Sequence, residues 1–388
     1  MRRAAIATLA VLAGCNALLG IEPAVHDAPD ARSPEPEPEP EETGAPSHPD
    51  DPPTPLVDAA TPDPGPPEPG LCVDLPNNPR HCGRCDHDCG PGACKAGVCQ
   101  PGVLAIDVNT PEAFVVTSSH VYYQTGGGDV QRVPIYGGPV ATLYSAGAAG
   151  LGTNLVVRGE HVYFGDHPGK RVVRCPLAGA CTPEVVIPNL PQPNLIASGD
   201  SGLYVTNGVR STHIYRCDGD TCASPTVFTA DEDGINQLVV SGQTLVWAVY
   251  MADGTAMVRT AQTTDPTPRT LFENMFGGGI GISALTVIGP RAYFVLRSEL
   301  SSVHLTDGTP PRLHSNLHVM AFQLEPWNGS FWFGNYYTGD VRRWPLGADA
   351  GAPPILEVDS DPLLHDMRVE STGIYWTSNK RLMRLAHP

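Results

Sequence analysis

The cysteines are the residues of this 388-residue chain whose type and spacing most directly indicate chemistry. Of the 11, one stands alone at Cys15, six lie between residues 72 and 99, and four lie between residues 175 and 222. Thiols in an oxidising compartment pair with one another, so the two even-numbered groups predict disulfide bonds. The cysteines predicted to pair are Cys72, Cys82, Cys85, Cys89, Cys94, Cys99, Cys175, Cys181, Cys217 and Cys222.

The spacing of these cysteines limits how they pair. Cys175 and Cys217 have their nearest partners only a few residues away, so we expect the bonds Cys175–Cys181 and Cys217–Cys222. The six cysteines of residues 72–99 are expected to pair among themselves, with the connectivity left open by the sequence. The alternative is a zinc site that uses Cys82 and Cys85 with a neighbouring histidine, but four zinc ligands would leave thiols over.

A second group of residues that could bind or react recurs at intervals of about 40 positions in the C-terminal part of the chain. We predict that these side chains form a polar ring without lysine or arginine, suited to a neutral ligand such as a glycan. The alternative is a structural role, in which these side chains form hydrogen bonds with backbone N–H groups where strands begin. Its members are Glu112, Asn154, Asn194, Asn236, Ser283, Gln323, His365 and Asp366.

Catalytic and metal-binding motifs are scarce in the sequence. It contains no HExxH, no GxSxG and no phosphate-binding GxxxxGK[ST]. The run Asp231-Glu232-Asp233-Gly234 could hold calcium, but such a run more often forms a solvated turn. Glu112, His365 and Asp366 are the one group that could serve as an acid–base or metal cluster. We therefore predict no cofactor and no catalytic residue, and expect binding rather than catalysis.

The first fifteen residues have the pattern of an export signal. A basic start, Met1-Arg2-Arg3, precedes an apolar stretch from Ala4 to Ala13, too short to span a membrane. Leu12-Ala13-Gly14-Cys15 resembles the lipobox of bacterial lipoproteins, which implies that Cys15 is lipidated and becomes the mature N-terminus. Asn16 stands where that family uses Asp for inner-membrane retention, which favours the outer membrane. The alternative is an ordinary signal peptide cleaved nearby.

Residues 23–70 have the composition of an extended spacer. They contain 16 prolines and 12 acidic residues, with Arg32 as the single basic residue. Proline lacks an N–H and like charges repel, so we expect a disordered stalk that holds the rest of the chain off the membrane. A proline-rich docking ligand is the alternative. With a net charge of −17 the chain lacks the basic surface that nucleic acid binding needs.

The elements that must position the polar ring follow from a repeat of about 42 residues. Seven aromatic-rich segments are centred at intervals of 41, 41, 42, 47, 39 and 43 residues, and a second feature, usually an arginine, recurs about ten residues after each centre. Four short strands per repeat predict an all-β, seven-bladed β-propeller, in which the repeated arginines are scaffold residues. The last repeat lacks a fourth strand, so we expect residues 103–108 to supply it and close the ring. The seven centres are Tyr122, Tyr163, Tyr204, Val246, Tyr293, Trp332 and Tyr375.

Two further segments resemble known families. His81-Cys82-Gly83-Arg84-Cys85 through Gly97-Val98-Cys99 resembles short Cys-rich modules of myxobacterial exported proteins. Ile374-Tyr375-Trp376-Thr377 resembles the YWTD blades of lipoprotein-receptor-type propellers, although Ser378 replaces the Asp, so it implies the fold alone.

The whole chain is therefore expected to be a membrane-anchored surface binding module. We expect a signal peptide over 1–14, a lipid anchor and acidic linker over 15–70, a disulfide module over 71–101 and the propeller over 102–388. Its partners would be the membrane and a glycan, a peptide or an envelope protein, and we expect a monomer. The alternatives are a propeller-type lyase or hydrolase with a site at the channel mouth, and a structural envelope component.

Overall fold

The structure is a computed structural model, which describes residues 72, 74–106, 113–147, 150–208, 211–230, 232–275, 281–306, 309–317, 321–348, 352–358 and 364–387. By its contacts the chain divides into two units, Met1–Pro67 and Glu68–Pro388, and every described residue belongs to the second. Cys15 and the expected stalk lie outside the described residues. Within the described ranges, no helix has the length and apolar character needed to cross a bilayer.

The described chain begins with a small disulfide-bonded module. Its three bonds are Cys72–Cys85, Cys82–Cys94 and Cys89–Cys99, and its regular structure is one hairpin, β1 (Cys94–Lys95) and β2 (Val98–Cys99). A segment of this size buries too little apolar surface to be stable by packing alone, so the cross-links hold it together.

Twenty-eight further strands form seven antiparallel sheets of four strands, numbered here blade 1 to blade 7 along the chain. The chain first forms β3 (Gly102–Ala105), which belongs to blade 7. Blade 1 contains β4 (Phe114–Val116), β5 (His120–Gln124), β6 (Asp129–Pro134) and β7 (Ala141–Ser145). Blade 2 contains β8 (Leu151–Arg158), β9 (His161–Asp166), β10 (Arg171–Pro176) and β11 (Glu184–Ile187). Blade 3 contains β12 (Pro193–Gly199), β13 (Gly202–Asn207), β14 (Ile214–Asp218) and β15 (Thr226–Thr229). Blade 4 contains β16 (Ile235–Ser241), β17 (Thr244–Tyr250), β18 (Thr255–Gln262) and β19 (Asp265–Met275), and blade 5 contains β20 (Ile282–Ile288), β21 (Arg291–Leu296), β22 (Glu299–His304) and β23 (Arg312–Asn316). Blade 6 contains β24 (Glu325–Trp327), β25 (Ser330–Gly334), β26 (Val341–Pro345) and β27 (Ile355–Val358). Blade 7 contains β28 (Leu364–Glu370), β29 (Gly373–Ser378) and β30 (Arg381–Leu385) in addition to β3.

The sheets form a closed ring. The first strands of successive blades contact one another in order, from β4 against β8 round to β28 against β4, so these strands are innermost. Blade 7 is completed by β3, whose Gly102 lies opposite Arg384 and whose Val103 lies opposite Met383 on β30. This confirms the prediction of a seven-bladed propeller closed by an N-terminal strand. The closing strand begins at Gly102, one residue earlier than expected.

The aromatic residues of each second strand form the packing between blades. In blade 7 every residue of β29 is buried, and its adjacent residues Tyr375 and Trp376 point to opposite faces of the sheet. Tyr375 packs with Phe114 of blade 1, whereas Trp376 packs with Trp332 of blade 6. Because both faces are covered, these strands read as continuous apolar runs rather than as an alternating pattern.

The repeated arginines connect the outer parts of the ring. Arg132 donates to the carbonyl oxygen of Leu177 in the next blade at 2.8 Å, and Arg216 donates in the same way to Thr263. Arg174 instead pairs with Glu184 of its own blade. These partners agree with the expectation that the arginines are scaffold residues.

Two short cross-links also lie in the propeller. Cys175 is bonded to Cys181 and Cys217 to Cys222, each between the third strand of its blade and the turn that follows it. With the three bonds of the module, the described chain has five disulfides. This number indicates an exported protein, since disulfides persist in oxidising compartments.

Candidate functional site

The innermost strands enclose a cavity of about 530 Å³ that is lined by residues from all seven blades, which we call the channel cavity. Its lining includes five of the predicted polar residues: Asn154, Asn194, Asn236, Gln323 and Asp366. Ser283 lies on β20 but is not part of the lining. Glu112 and the side chain of His365 lie outside the described residues, so the cluster of Glu112, His365 and Asp366 stays a prediction.

Some of the predicted residues tie neighbouring innermost strands together. The amide of Asn154 on β8 donates to the carbonyl oxygen of Ile196 on β12 at 2.7 Å and accepts from the N–H of Ile196 at 2.7 Å. Asn236 on β16 donates to the carbonyl oxygen of Ile282 on β20 at 2.8 Å. These hydrogen bonds join neighbouring blades and give the two side chains a structural role, although Oδ1 of Asn236 is buried with no hydrogen-bond partner among the described residues.

The same link occurs at two other positions of the ring. Ser283 Oγ donates to the carbonyl oxygen of Ala321, just before β24, at 2.6 Å. Asp366 Oδ2 accepts the N–H of Phe114 at 3.3 Å, and this bond joins blade 7 to blade 1. Four of the predicted residues therefore hold the ring together.

Asn194 and Gln323 differ from the other members of the set. Asn194 is only 7% exposed and lines the channel cavity, yet its side chain has no hydrogen bond with any described residue. The Gln323 side chain, in the same lining, likewise has none among the described residues. Neither amide is among the described side-chain groups that are fully buried without a partner, so both are open to the cavity. At these two positions polar groups therefore face the cavity with their hydrogen-bonding capacity unused.

The channel cavity also holds a charged cluster that sequence reasoning missed. Arg368 on β28 lies 2.7 Å from Asp366 Oδ1 and 3.3 Å from Glu325 Oε1 on β24. The channel cavity therefore has an arginine in its lining, which the predicted set of eight residues does not include. Residues two apart in a strand share a face, and Arg368 lies two residues after Asp366 on β28. Glu325 lies two residues after Gln323, at the start of β24. That alternation was the signal that could have found them.

The two carboxylates of this cluster are not equivalent. Asp366 accepts from the N–H groups of Phe114 and Met367 as well as from Arg368, whereas Arg368 is the hydrogen-bond donor to Glu325. Burial raises the pKa of Glu325 to about 7, although Arg368 opposes the shift. Burial raises the pKa of Asp366 as well, again against Arg368. Because Asp366 has more donors, we place the negative charge there and expect Glu325 to carry the exchangeable proton.

The residues considered as zinc or calcium ligands are bonded to other protein groups. The sulfur atoms of Cys82, Cys89 and Cys99 lie within 4.8 Å of one another, but each belongs to a disulfide and is not a free thiolate. Glu232, in the acidic run considered for calcium, is buried and accepts two bonds from Arg259 at 2.7 and 2.8 Å. Its carboxylate is thus engaged in an ion pair.

A second cavity, of about 510 Å³, lies between the disulfide module and blades 6 and 7. Its lining combines His87 and Val98 of the module with Trp332 and Leu385 of the propeller. Cys82, Cys89 and Cys99 belong to the same apolar cluster as Trp332 and Leu385, so the module is packed directly on the ring. No sequence pattern indicated this cavity, because it depends on how the module docks.

These observations define a seven-bladed β-propeller protein with a disulfide-rich N-terminal region and a polar, charged channel cavity. No family model matches the sequence, and no curated protein matches it. Virginiamycin B lyase from Staphylococcus aureus is 12% identical with a TM-score of 0.58, over 74% of this chain and 99% of that chain. A streptogramin B lyase structure is 11% identical with a TM-score of 0.57, over 74% and 96% of the two chains. The WD40 β-propeller domain of Doa1 is 13% identical with a TM-score of 0.56, over 75% and 96%. At such identities the likeness shows the propeller fold alone.

Proposed function

We propose that this protein is an exported lipoprotein, anchored through Cys15 in the outer membrane, which displays its propeller as a binding module. Export is supported by the five disulfides of the described chain. The lipid anchor is supported by Leu12-Ala13-Gly14-Cys15, and the outer membrane by Asn16 in place of Asp. Several acyl chains on one residue would hold the protein stably on a membrane.

The observation that carries the binding function is the pair of unsatisfied amides in the channel cavity. Asn194 comes from blade 3 and Gln323 from the segment entering blade 6, so they approach the cavity from different sides of the ring. Equivalent positions in other blades use their polar atoms to join strands. A ligand in the cavity would complete the hydrogen bonds of these two residues and contact Arg368 as well.

An array of glycans and peptides, probed with the exported chain carrying Cys15→Ser, tests this function. We expect saturable binding that Asn194→Ala and Gln323→Ala weaken, because these substitutions remove ligand contacts without breaking a described hydrogen bond. Arg368→Met should weaken it too, whereas Arg312→Met, which changes an exposed arginine on the outermost strand β23, should not. The absence of any saturable ligand would favour a structural envelope component instead.

The lipid anchor has its own test. Cys15→Ser should release the protein from the membrane fraction, because the acyl chains would have no thiol to occupy. Mass spectrometry of the mature wild-type protein should find a lipidated Cys15 at the N-terminus. An unmodified N-terminus at another residue would contradict the anchor and leave the binding function untouched.

A lyase or hydrolase is the second candidate, and one observation favours it. Burial raises the pKa of Glu325 to about 7 and also raises the pKa of Asp366, so two carboxyl groups with raised pKa values face one cavity. A general acid or base works best when its pKa is near the working pH. Turnover of a bound ligand that Glu325→Gln abolishes, with binding retained, would identify an enzyme.

A further inference from the structure

An aromatic cluster lies beside the channel cavity on blade 6. Phe322 and Tyr336 meet edge to face with ring centroids 5.3 Å apart, and Tyr336 and Tyr337 do so at 5.4 Å. Tyr337 is 63% exposed, so its ring is accessible to a ligand. We call these three residues the blade 6 aromatic cluster.

The cluster adjoins the channel cavity through the backbone. Ala321 forms a β-bridge with Asn335, so the segment entering β24 lies against the turn between β25 and β26. Phe322 directly precedes Gln323, which lines the cavity. Phe322 and the turn with the two tyrosines therefore lie at the end of the ring where the innermost strands begin, next in sequence to the cavity-lining Gln323.

The turn that carries the tyrosines is held by its own hydrogen bonds. Asn335 Nδ2 donates to Thr338 Oγ1 at 2.6 Å, and Asn335 Oδ1 accepts the N–H of Tyr337 at 3.2 Å. The N–H of Gly339 donates to the carbonyl oxygen of Asn335 at 2.8 Å. The rings are thus placed before any ligand arrives, which lowers the entropy cost of binding.

The chemistry of this surface fits a sugar. Aromatic rings offer flat apolar contacts to the C–H face of a pyranose, while the amides of Asn194 and Gln323 and the charged groups of Arg368 and Glu325 can bond its hydroxyls. Arg368 already faces two carboxylates, so the cluster has no positive charge to spare for an anionic ligand. The innermost strands face one another around the channel, so the channel cavity itself offers no open strand edge to which a peptide could add as a further strand.

We infer that the channel cavity and the blade 6 aromatic cluster together bind an uncharged oligosaccharide, with one sugar ring on the aromatic cluster and the next at the channel mouth. This inference rests on the proposed binding function and names its ligand class. Tyr337 would supply a stacking face, and Gln323 and Glu325 would bond the hydroxyls of the adjoining sugar.

The test measures binding of ligands to the full chain with Cys15→Ser. The uncharged probes are cellohexaose, maltohexaose, mannohexaose and chitohexaose. Hexagalacturonate is the anionic probe, and a library of twelve-residue peptides tests for a peptide ligand. We expect saturable binding of an uncharged hexasaccharide, about tenfold weaker in Tyr337→Ala by calorimetry. Tyr136→Ala is the matched control, because Tyr136 is 53% exposed but follows β6, at the opposite end of the strands. It should leave the affinity unchanged.

The outcomes separate the two proposals. Binding confined to hexagalacturonate or to peptides, and weakened by Asn194→Ala, would overturn the oligosaccharide inference and leave the binding function standing. Hexasaccharide binding that Tyr337→Ala does not weaken would also overturn it. No saturable binding of any probe would overturn the inference and count against the binding function as well.

Discussion

The closing strand β3 offers a sharp test of how the ring is held together. Leu104 on this strand is 6% exposed and packs in a cluster with Phe114 of blade 1 and with Tyr375 and Leu382 of blade 7. Its truncation leaves a cavity between the first and last blades. Leu104→Ala should therefore lower the free energy of unfolding by about 3 kcal/mol, within the usual range for a buried leucine.

The neighbouring residue supplies the control. Val103 points to the other face and is 37% exposed, so Val103→Ala should cost less than about 1 kcal/mol. Urea denaturation followed by tryptophan fluorescence measures both variants, since Trp247 of blade 4 and Trp376 of blade 7 are fully buried and report on distant parts of the ring. Equal stability of the two variants would mean that β3 does not close the propeller.

Three further predictions concern stability. Glu325 keeps its proton up to pH about 7 in the folded protein but only to about 4.5 when unfolded, so it contributes stability that is complete below pH 4.5 and lost as the pH rises through 7. Glu325→Gln should remove this loss, and urea midpoints that change in parallel for both proteins between pH 4.5 and 7.5 would refute the shift. Replacing Cys175 and Cys181 together by alanine should cost about 2 kcal/mol, because the bond closes a small loop; an unchanged melting temperature would contradict this. Glu232→Ala leaves Arg259 without its buried partner, and it should lower the free energy of unfolding by about 2 kcal/mol, a value reduced because Arg259 is partly exposed. Glu184→Ala breaks a pair in which the glutamate is exposed, and it should lower the free energy of unfolding by less than about 1 kcal/mol.

The fold could be predicted from the sequence because each blade repeats the same physical requirement. A second strand covered on both faces needs large apolar side chains, and Tyr163, Trp332 and Tyr375 mark it in their blades. The missing fourth strand of blade 7 was also predictable, since residues 103–108 had no other strand to pair with. The connectivity of the six early cysteines was not, because it depends on the three-dimensional path of a module with little regular structure.

The candidate site was only partly predictable. The innermost position of each repeat identified the channel lining, but the sequence could not separate structural amides from free ones. Asn154 and Asn194 occupy equivalent positions in their repeats. The Asn154 side chain bonds the backbone of Ile196 because the next blade lies within reach, and the sequence does not show that distance. Arg368 lies two residues after Asp366 on β28, so alternation along that strand could have added it to the predicted lining.

The ionisation of Glu325 is the measurement that tests a ligand site in the channel most directly. Selective labelling of glutamate side-chain carboxyl carbons, with Glu325→Gln to assign the signal, gives its pKa with and without the best ligand from the array. In the free protein we expect a value of about 7. A ligand that enters the channel displaces water and engages this carboxyl, so its pKa should change on binding. A titration that saturating ligand leaves unchanged would contradict a binding site at this cluster, and a pKa near 4.5 in the free protein would contradict the burial of Glu325.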